Sequence, residues 1–386
     1  MSAYPPDAYP PDAYPPDAYP PDAALSDPAL SDADPTGMEH PTRSTATGSD
    51  ALTVGSAASA PVGIASALFE SACGGSVRAL ARLLSAVENG GRRAAAVSAA
   101  LAGRPREAAV WGLTGPPGVG KSTLTAALIA ELRAAGSTVA VLAVDPSSPF
   151  SGGALLGDRV RMAEHVTDPG VYIRSMASRG HLGGMSSTTP TAVDLMSAAG
   201  FDVVIVETVG VGQNEVDVLR LADTVVVVTA PGAGDGIQAA KAGILEIADI
   251  LVVNKADREG VAGTVRELKA MVALGRTGTA QPGGRRIPVL TTTATVPAGI
   301  AELRRCILEH ARAATADGTG LLRRRARFGM AVETLVTEHV QLTLQSGDGR
   351  KLLGSAAAEL AATGGDPHRV AADIWRWLAG QDYPPG

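Results

Sequence analysis

The sequence predicts an α/β protein built on a doubly wound, mostly parallel sheet, with helices added at both ends. Three observations lead there. Seven short apolar runs alternate with helical segments between Ala109 and Thr292. A glycine-rich loop ending in a lysine–serine pair follows the first run directly. After about residue 315 the strands stop and helical periodicity takes over.

The runs are AVWGLT (109–114), TVAVLAV (138–144), VYIRSM (171–176), DVVIVET (202–208), TVVVVT (224–229), ILVVN (250–254) and IPVLTT (287–292). Continuous rather than alternating apolar strands are those buried on both faces, and strands separated by helices are parallel. Upstream, residues 63–103 read as helices, with Val77, Leu80, Leu84 and Val87 on one face and a break at Gly90-Gly91. Downstream, Phe328, Val332, Leu335 and Val336 form one amphipathic stripe, and Val370, Ile374, Trp377 and Leu378 another. Asp366-Pro367 supplies an N-cap and a first-turn proline to the second. These helices are too few to bury themselves and are expected to pack on the α/β domain or on another subunit. The cluster Arg323, Arg324, Arg325 and Arg327 reads as a solvated face.

The pentapeptide AYPPD occurs four times in succession at residues 3–22. Proline and aspartate at that density cannot build a core, so residues 1–60 are expected to be a disordered tail. Tyr4, Tyr9, Tyr14 and Tyr19 are either repeated anchors of a docking arm or the product of a repeat expansion without a partner. The remaining divisions are a helical segment at 61–108, the P-loop domain at 109–314 and a helical extension at 315–386. Aromatic residues make up 3% of the chain, so the core must come from Ala, Val, Leu and Ile. The net charge of −6 resides largely in the tail, and no basic stripe interleaved with aromatics suggests nucleic acid. Two distant cysteines, Cys73 and Cys306, fit a reducing compartment. With no secretory signal pattern and no run of about 18 apolar residues, a cytoplasmic, non-membrane protein is expected.

The chemistry begins with Gly115, Pro116, Pro117, Gly118, Val119, Gly120, Lys121 and Ser122, a complete G-x-x-x-x-G-K-[ST] between a strand and a helix, followed by Thr123. The glycines let backbone N–H groups converge on phosphate oxygens, Lys121 neutralises β/γ charge, and Ser122 offers a hydroxyl to Mg²⁺. Glu207 ends a buried strand, where it can hold Mg²⁺ or its water, and Gly210 lets the backbone approach a γ-phosphate. In Asn254-Lys255-Ala256-Asp257, a buried Asp257 can accept hydrogen bonds from guanine N1–H and its 2-amino group. Adenine lacks that donor pair, so GTP is preferred to ATP. The stem of Lys255 can lie over the base, and Thr293-Ala294 can supply a backbone contact to it. Asp145 and Asp158 are further acidic candidates for Mg²⁺, although Asp158 suits a surface ion pair equally well.

Taken together, GLTGPPGVGKST, AVDPSSPFSGGALLGDRVRM, SMASRGHLGG, ETVGVGQNEVD, PGAGDGIQAAKAGILEIAD and NKAD closely resemble the MeaB/ArgK family, over roughly residues 65–380. Members are G-protein chaperones of adenosylcobalamin-dependent methylmalonyl-CoA mutase. The resemblance implies GTP hydrolysis, a GTP/GDP switch that gates or protects cobalamin loading, and homodimerisation through the C-terminal helices. It implies that Asp145, Asp158 and Glu207 all lie near Mg²⁺, with Glu207 in place of the usual aspartate. Residues 231–241 look like the family's extra switch, where Lys241 would stabilise the active arrangement. Thr293-Ala294 stands where the family more often has Ser-Ala, and segment 276–286 has no assigned role. Two other functions share features with this sequence. A nickel-enzyme maturation GTPase would need Cys/His ligands that Cys73 and Cys306 do not supply. An ArgK-type kinase linked to amino-acid transport would need a phospho-acceptor surface.

Overall fold

A computed structural model describes residues 59–146, 162–178, 188–208, 220–233, 248–275 and 286–380. Helices α1 (Ser59–Cys73), α2 (Val77–Asn89) and α3 (Gly91–Ala100) precede the sheet. Then come β1 (Ala109–Thr114), α4 (Lys121–Ala134), β2 (Val139–Pro146), β3 (Val171–Ser178), α5 (Thr188–Ala198) and β4 (Val203–Thr208). β5 (Thr224–Thr229), β6 (Ile250–Val253), α6 (Val261–Gly275) and β7 (Val289–Thr291) complete it. The chain ends in α7 (Ile300–Ala316), α8 (Thr319–Gln345), α9 (Gly347–Thr363) and α10 (Pro367–Ala379).

All seven apolar runs form strands, in the order β3-β2-β4-β1-β5-β6-β7, and every neighbouring pair is parallel. Successive side chains point to opposite faces. Val204 and Val206 enter one core with α1, α2, α3, α5 and α6, while Val203 and Ile205 enter the other with α4 and α7. This two-sided burial is why the runs carry no polar alternation. Crossing from β1 to β2 and returning to β4 makes the strand order reverse beside β1. Ligands of open α/β sheets bind at such a reversal, outside the carboxyl ends of the strands.

Helix α2 begins where Ser76 Oγ accepts the Ala79 N–H, and it buries Leu80, Leu83, Leu84 and Val87. Val77 departs from expectation, being 64% exposed. Side chains lean toward the helix N-terminus, so one in the first turn overhangs the start of the helix instead of the core.

The arginine cluster requires a second correction. Arg323 and Arg327, one turn apart on α8, are tethers rather than a solvated face. Arg323 donates to both oxygens of Asp249 (2.7 and 2.6 Å) and to the Asp223 carbonyl (2.9 Å). Arg327 is buried and donates to the Leu221 carbonyl at 2.8 Å. Asp249 also accepts the Val225 N–H at 2.9 Å, and His310 Nε2 of α7 lies 3.2 Å from it. This network closes the rim where β5 and β6 begin, opposite the glycine-rich loop. Phe328, Val332, Leu335 and Val336 remain exposed within the chain, so their stripe does not pack on the sheet.

Burial pushes the Asp249 carboxyl up, but hydrogen bonds from Arg323 and His310 outweigh it and hold the group below the usual carboxylate range. A folded-state value below the unfolded one stabilises the protein above the unfolded pKa and is lost as pH falls through the folded one. Asp249→Asn should cost about 3–5 kcal/mol in urea unfolding at neutral pH, because it strips a cation of its buried partner. The gap from the wild type should hold down to about pH 4 and shrink below it. A gap that is flat across the acid range would refute this assignment.

Candidate functional site

β1 delivers the chain to the reversal point, and the glycine-rich loop turns it into α4. Gly120 caps α4 in the left-handed region (φ 91°) with no capping side chain, so the first N–H groups of the helix face the loop. Gly115 is fixed by space, since a Cβ there would lie 2.0 Å from the Val228 carbonyl oxygen on β5. A Cβ on Gly120 would lie 2.7 Å from Asn254 Nδ2. Lys121, itself buried, reaches back to donate to the carbonyls of Gly115 (2.8 Å) and Pro116 (3.1 Å). The loop is thereby wrapped around its own ammonium group.

Glu207 pairs in register with Leu113 of β1, which brings the end of β4 alongside the loop. Glu207 as a whole is 1% exposed. Ser122 Oγ donates to Oε1 at 2.7 Å, and Thr125 Oγ1 donates to Oε2 at 2.8 Å. Next door, the Thr208 hydroxyl donates to that of Thr114 at 3.0 Å, tying the residue before the loop to the residue after Glu207. The cluster consists of hard oxygen donors, hydroxyl and carboxylate, which suits Mg²⁺ and does not suit a soft metal.

The third loop follows β6. Asn254 Nδ2 donates to the carbonyls of Val119 (3.0 Å) and Gly120 (3.4 Å). Its Oδ1 accepts from the Thr292 hydroxyl (3.1 Å) and the Ala294 N–H (3.3 Å). Lys255 adopts φ 58°, rare for a residue with a side chain, and donates to the Gly118 carbonyl. The loops after β1, β6 and β7 are therefore knitted together through one asparagine. Asp257 corrects an expectation, being exposed rather than buried. Asn254 and Lys255 pin the start of their loop and leave its last residue outside. Thr293 pairs backbone to backbone with Ala298 beside it.

The structure thus gathers residues 115–122, Glu207, Asn254, Lys255, Asp257, Thr293 and Ala294 at one rim, with Thr123 following on α4. Asp145 lies in β2, in register with Ala177, and its side chain is outside what is described. Asp158, Gly210, Lys241, the SRGHLGG segment after Ser178 and most of segment 276–286 lie outside the described residues, as does the AYPPD tail. Thr125, Thr292 and the Thr114–Thr208 pair are site residues the sequence did not reveal. For Thr125 the available signal was a hydroxyl three residues after Ser122 and so on the same helical face.

The profile of a family described as methylmalonyl-CoA mutase-associated GTPase MeaB matches residues 80–348. A putative GTPase of Pyrococcus abyssi is 49% identical over 263 residues, which is 68% of this chain and 81% of that protein. GTPase ArgK of Escherichia coli is 41% identical over 212 residues, 54% of this chain and 62% of that protein. The crystal structure of an LAO/AO transport system kinase superposes with a TM-score of 0.59 at 25% identity, covering 82% of this chain and 98% of that one.

Gly115→Ala should weaken binding of a fluorescent GDP analogue about tenfold or more, because the loop must move off β5 by an overpacking cost of about 1–3 kcal/mol. Gly118→Ala meets nothing within 4 Å and should cost only its left-handed strain. Equal affinities for the two variants would refute the crowding at Gly115.

Proposed function

Because the chain belongs to the MeaB family of methylmalonyl-CoA mutase-associated GTPases, we propose that it is a Mg²⁺-dependent GTP/GDP switch read by an adenosylcobalamin-dependent acyl-CoA mutase. The observation that carries this reading is the convergence of the phosphate loop, Glu207 and the Asn254–Asp257 loop on one rim, where Ser122 joins Glu207 to the phosphate loop and Asn254 joins the phosphate loop to the loops after β6 and β7.

In this reading the N–H groups of residues 115–122 cradle the phosphates of GTP. Lys121 exchanges the Gly115 and Pro116 carbonyls for β/γ oxygens. Ser122 and Glu207 would hold Mg²⁺, with Asp145 and Asp158 as the remaining acidic candidates. Bound there, the cation would neutralise charge developing on the β/γ-phosphates. Gly210 would let the backbone approach the γ-phosphate, so that loss of this phosphate is the event the switch reports. Asp257 accepts the N1–H and 2-amino protons of guanine, the Lys255 stem covers the base, and the Thr293-Ala294 backbone meets its edge. An adenine would leave the carboxylate without donors.

The divisions follow the same logic. Residues 109–314 form the GTPase domain, 61–108 brace one face of its sheet, and 315–386 present the exposed stripe of α8 to a second subunit. Residues 231–241, including Lys241, answer the mutase, whose cobalamin loading the switch gates or protects. A cytoplasmic location fits, and no helix among the described residues is long and apolar enough to cross a membrane.

GTP hydrolysis by the purified protein, measured with and without methylmalonyl-CoA mutase and with ATP as control, tests the proposal. Faster GTP turnover with the mutase and none with ATP is the expected result. Lys121→Ala should lower kcat by on the order of 10²–10³, the usual loss when one transition-state donor is removed. Asp257→Ala should erase the preference for GTP. Turnover indifferent to the mutase would discard that client, and an unchanged rate in Lys121→Ala would discard the site.

A further inference from the structure

The P-loop pattern accounts for Ser122 but is silent about the residue three positions on. In the structure that residue, Thr125, is fully buried and donates to Glu207 Oε2 at 2.8 Å, while Ser122 donates to Oε1 at 2.7 Å. The two hydroxyls stand on one face of α4, so a single helix grips both ends of the carboxylate. A glutamate side chain has three rotatable torsions, and with only one oxygen held its carboxyl group can still swing about that contact. The second hydrogen bond restricts that swing.

We propose that Thr125 is a positioning residue for Mg²⁺. Its hydroxyl locks Oε2 of Glu207, so that Oε1 and the Ser122 oxygen stay side by side as a preformed pair of ligands. A serine hydroxyl can donate its proton to Oε1 and still offer a lone pair to a cation. Thr125 never touches the metal; it fixes the direction in which Glu207 Oε1 is presented beside Ser122. This inference rests on the reading of Ser122 and Glu207 as cation-holding residues.

The test uses the full-length protein and a fluorescent GDP analogue, titrating the Mg²⁺ concentration that half-maximally retains the nucleotide. Thr125→Val keeps the shape and removes the donor. Thr125→Ser keeps the donor and trims a methyl group. The Val variant should need about tenfold more Mg²⁺ or greater, matching the loss of one hydrogen bond to a charged group. It should also lose kcat with little change in the KM for GTP once Mg²⁺ is saturating. The Ser variant should restore the Mg²⁺ requirement. If the Val variant does not fold, Thr125→Cys, which has the shape of serine but a weak donor, takes its place in the comparison with Ser.

A Mg²⁺ requirement that moves equally in the donor-keeping and donor-lacking variants, or in neither, overturns the proposal. Glu207→Gln separates the two levels. If it leaves the Mg²⁺ requirement unmoved, the reading of Glu207 itself fails. If it raises the requirement while Thr125→Val does not, only the role of Thr125 is lost.

Discussion

A sheet covered on both faces leaves its polar side chains only two places to meet, the rim where the strands end and the rim where they begin. Among the described residues each rim holds one buried carboxylate, Asp249 or Glu207, and a buried carboxylate demands partners. At the lower rim Asp249 is met by Arg323 and His310. At the upper rim Glu207 is met by the hydroxyls of Ser122 and Thr125. The difference is chemical. A guanidinium has donors only, so its pairing with Asp249 leaves nothing to offer a ligand. A hydroxyl that donates keeps lone pairs to give away. The lower rim is built to stay closed and the upper rim to receive something.

The strands are legible in the sequence because a run such as VVIVET, apolar until its last two residues, fits only a position buried on both sides. The phosphate loop is legible for the opposite reason, since its work is done by backbone and by residues adjacent in sequence. What stays hidden is whatever depends on a distant partner. Arg323 looks like one of a row of solvated cations because Asp249 lies 74 residues upstream. Thr125 looks like an ordinary helix residue because Glu207 lies 82 residues downstream. Val77 misleads for a local reason, that periodicity assigns faces without knowing where a helix begins. Asp257 misleads because a motif specifies which residue follows Asn254 and Lys255, not how far the rim shelters it.

A shared ring links α8 to the segment that leads into the sheet. Phe328 of α8 lies under two guanidinium groups, Arg106 at 5.7 Å and Arg327 at 6.0 Å, in the range of cation–π attraction. Arg106 belongs to the segment between α3 and β1 and also pairs with Asp194 of α5 at 2.6 Å. Arg327 holds the carbonyl of Leu221, just ahead of β5. A displacement of α8 would therefore pull on the approach to β1 and the approach to β5 together, and these two strands are neighbours.

The scarcity of aromatic residues has an optical consequence. Trp111 is fully buried in β1, four positions before Gly115, and its indole Nε1 has no hydrogen-bond partner among the described residues. The chain's other two tryptophans, Trp375 and Trp377, both sit on α10, and Trp375 is 62% exposed. An indole sealed among aliphatic side chains emits at shorter wavelength than one in water. The chain thus carries two colours of intrinsic fluorescence. The blue side of the spectrum reports from the root of the phosphate loop and the red side from the terminal helix, and a water-soluble quencher darkens chiefly the latter.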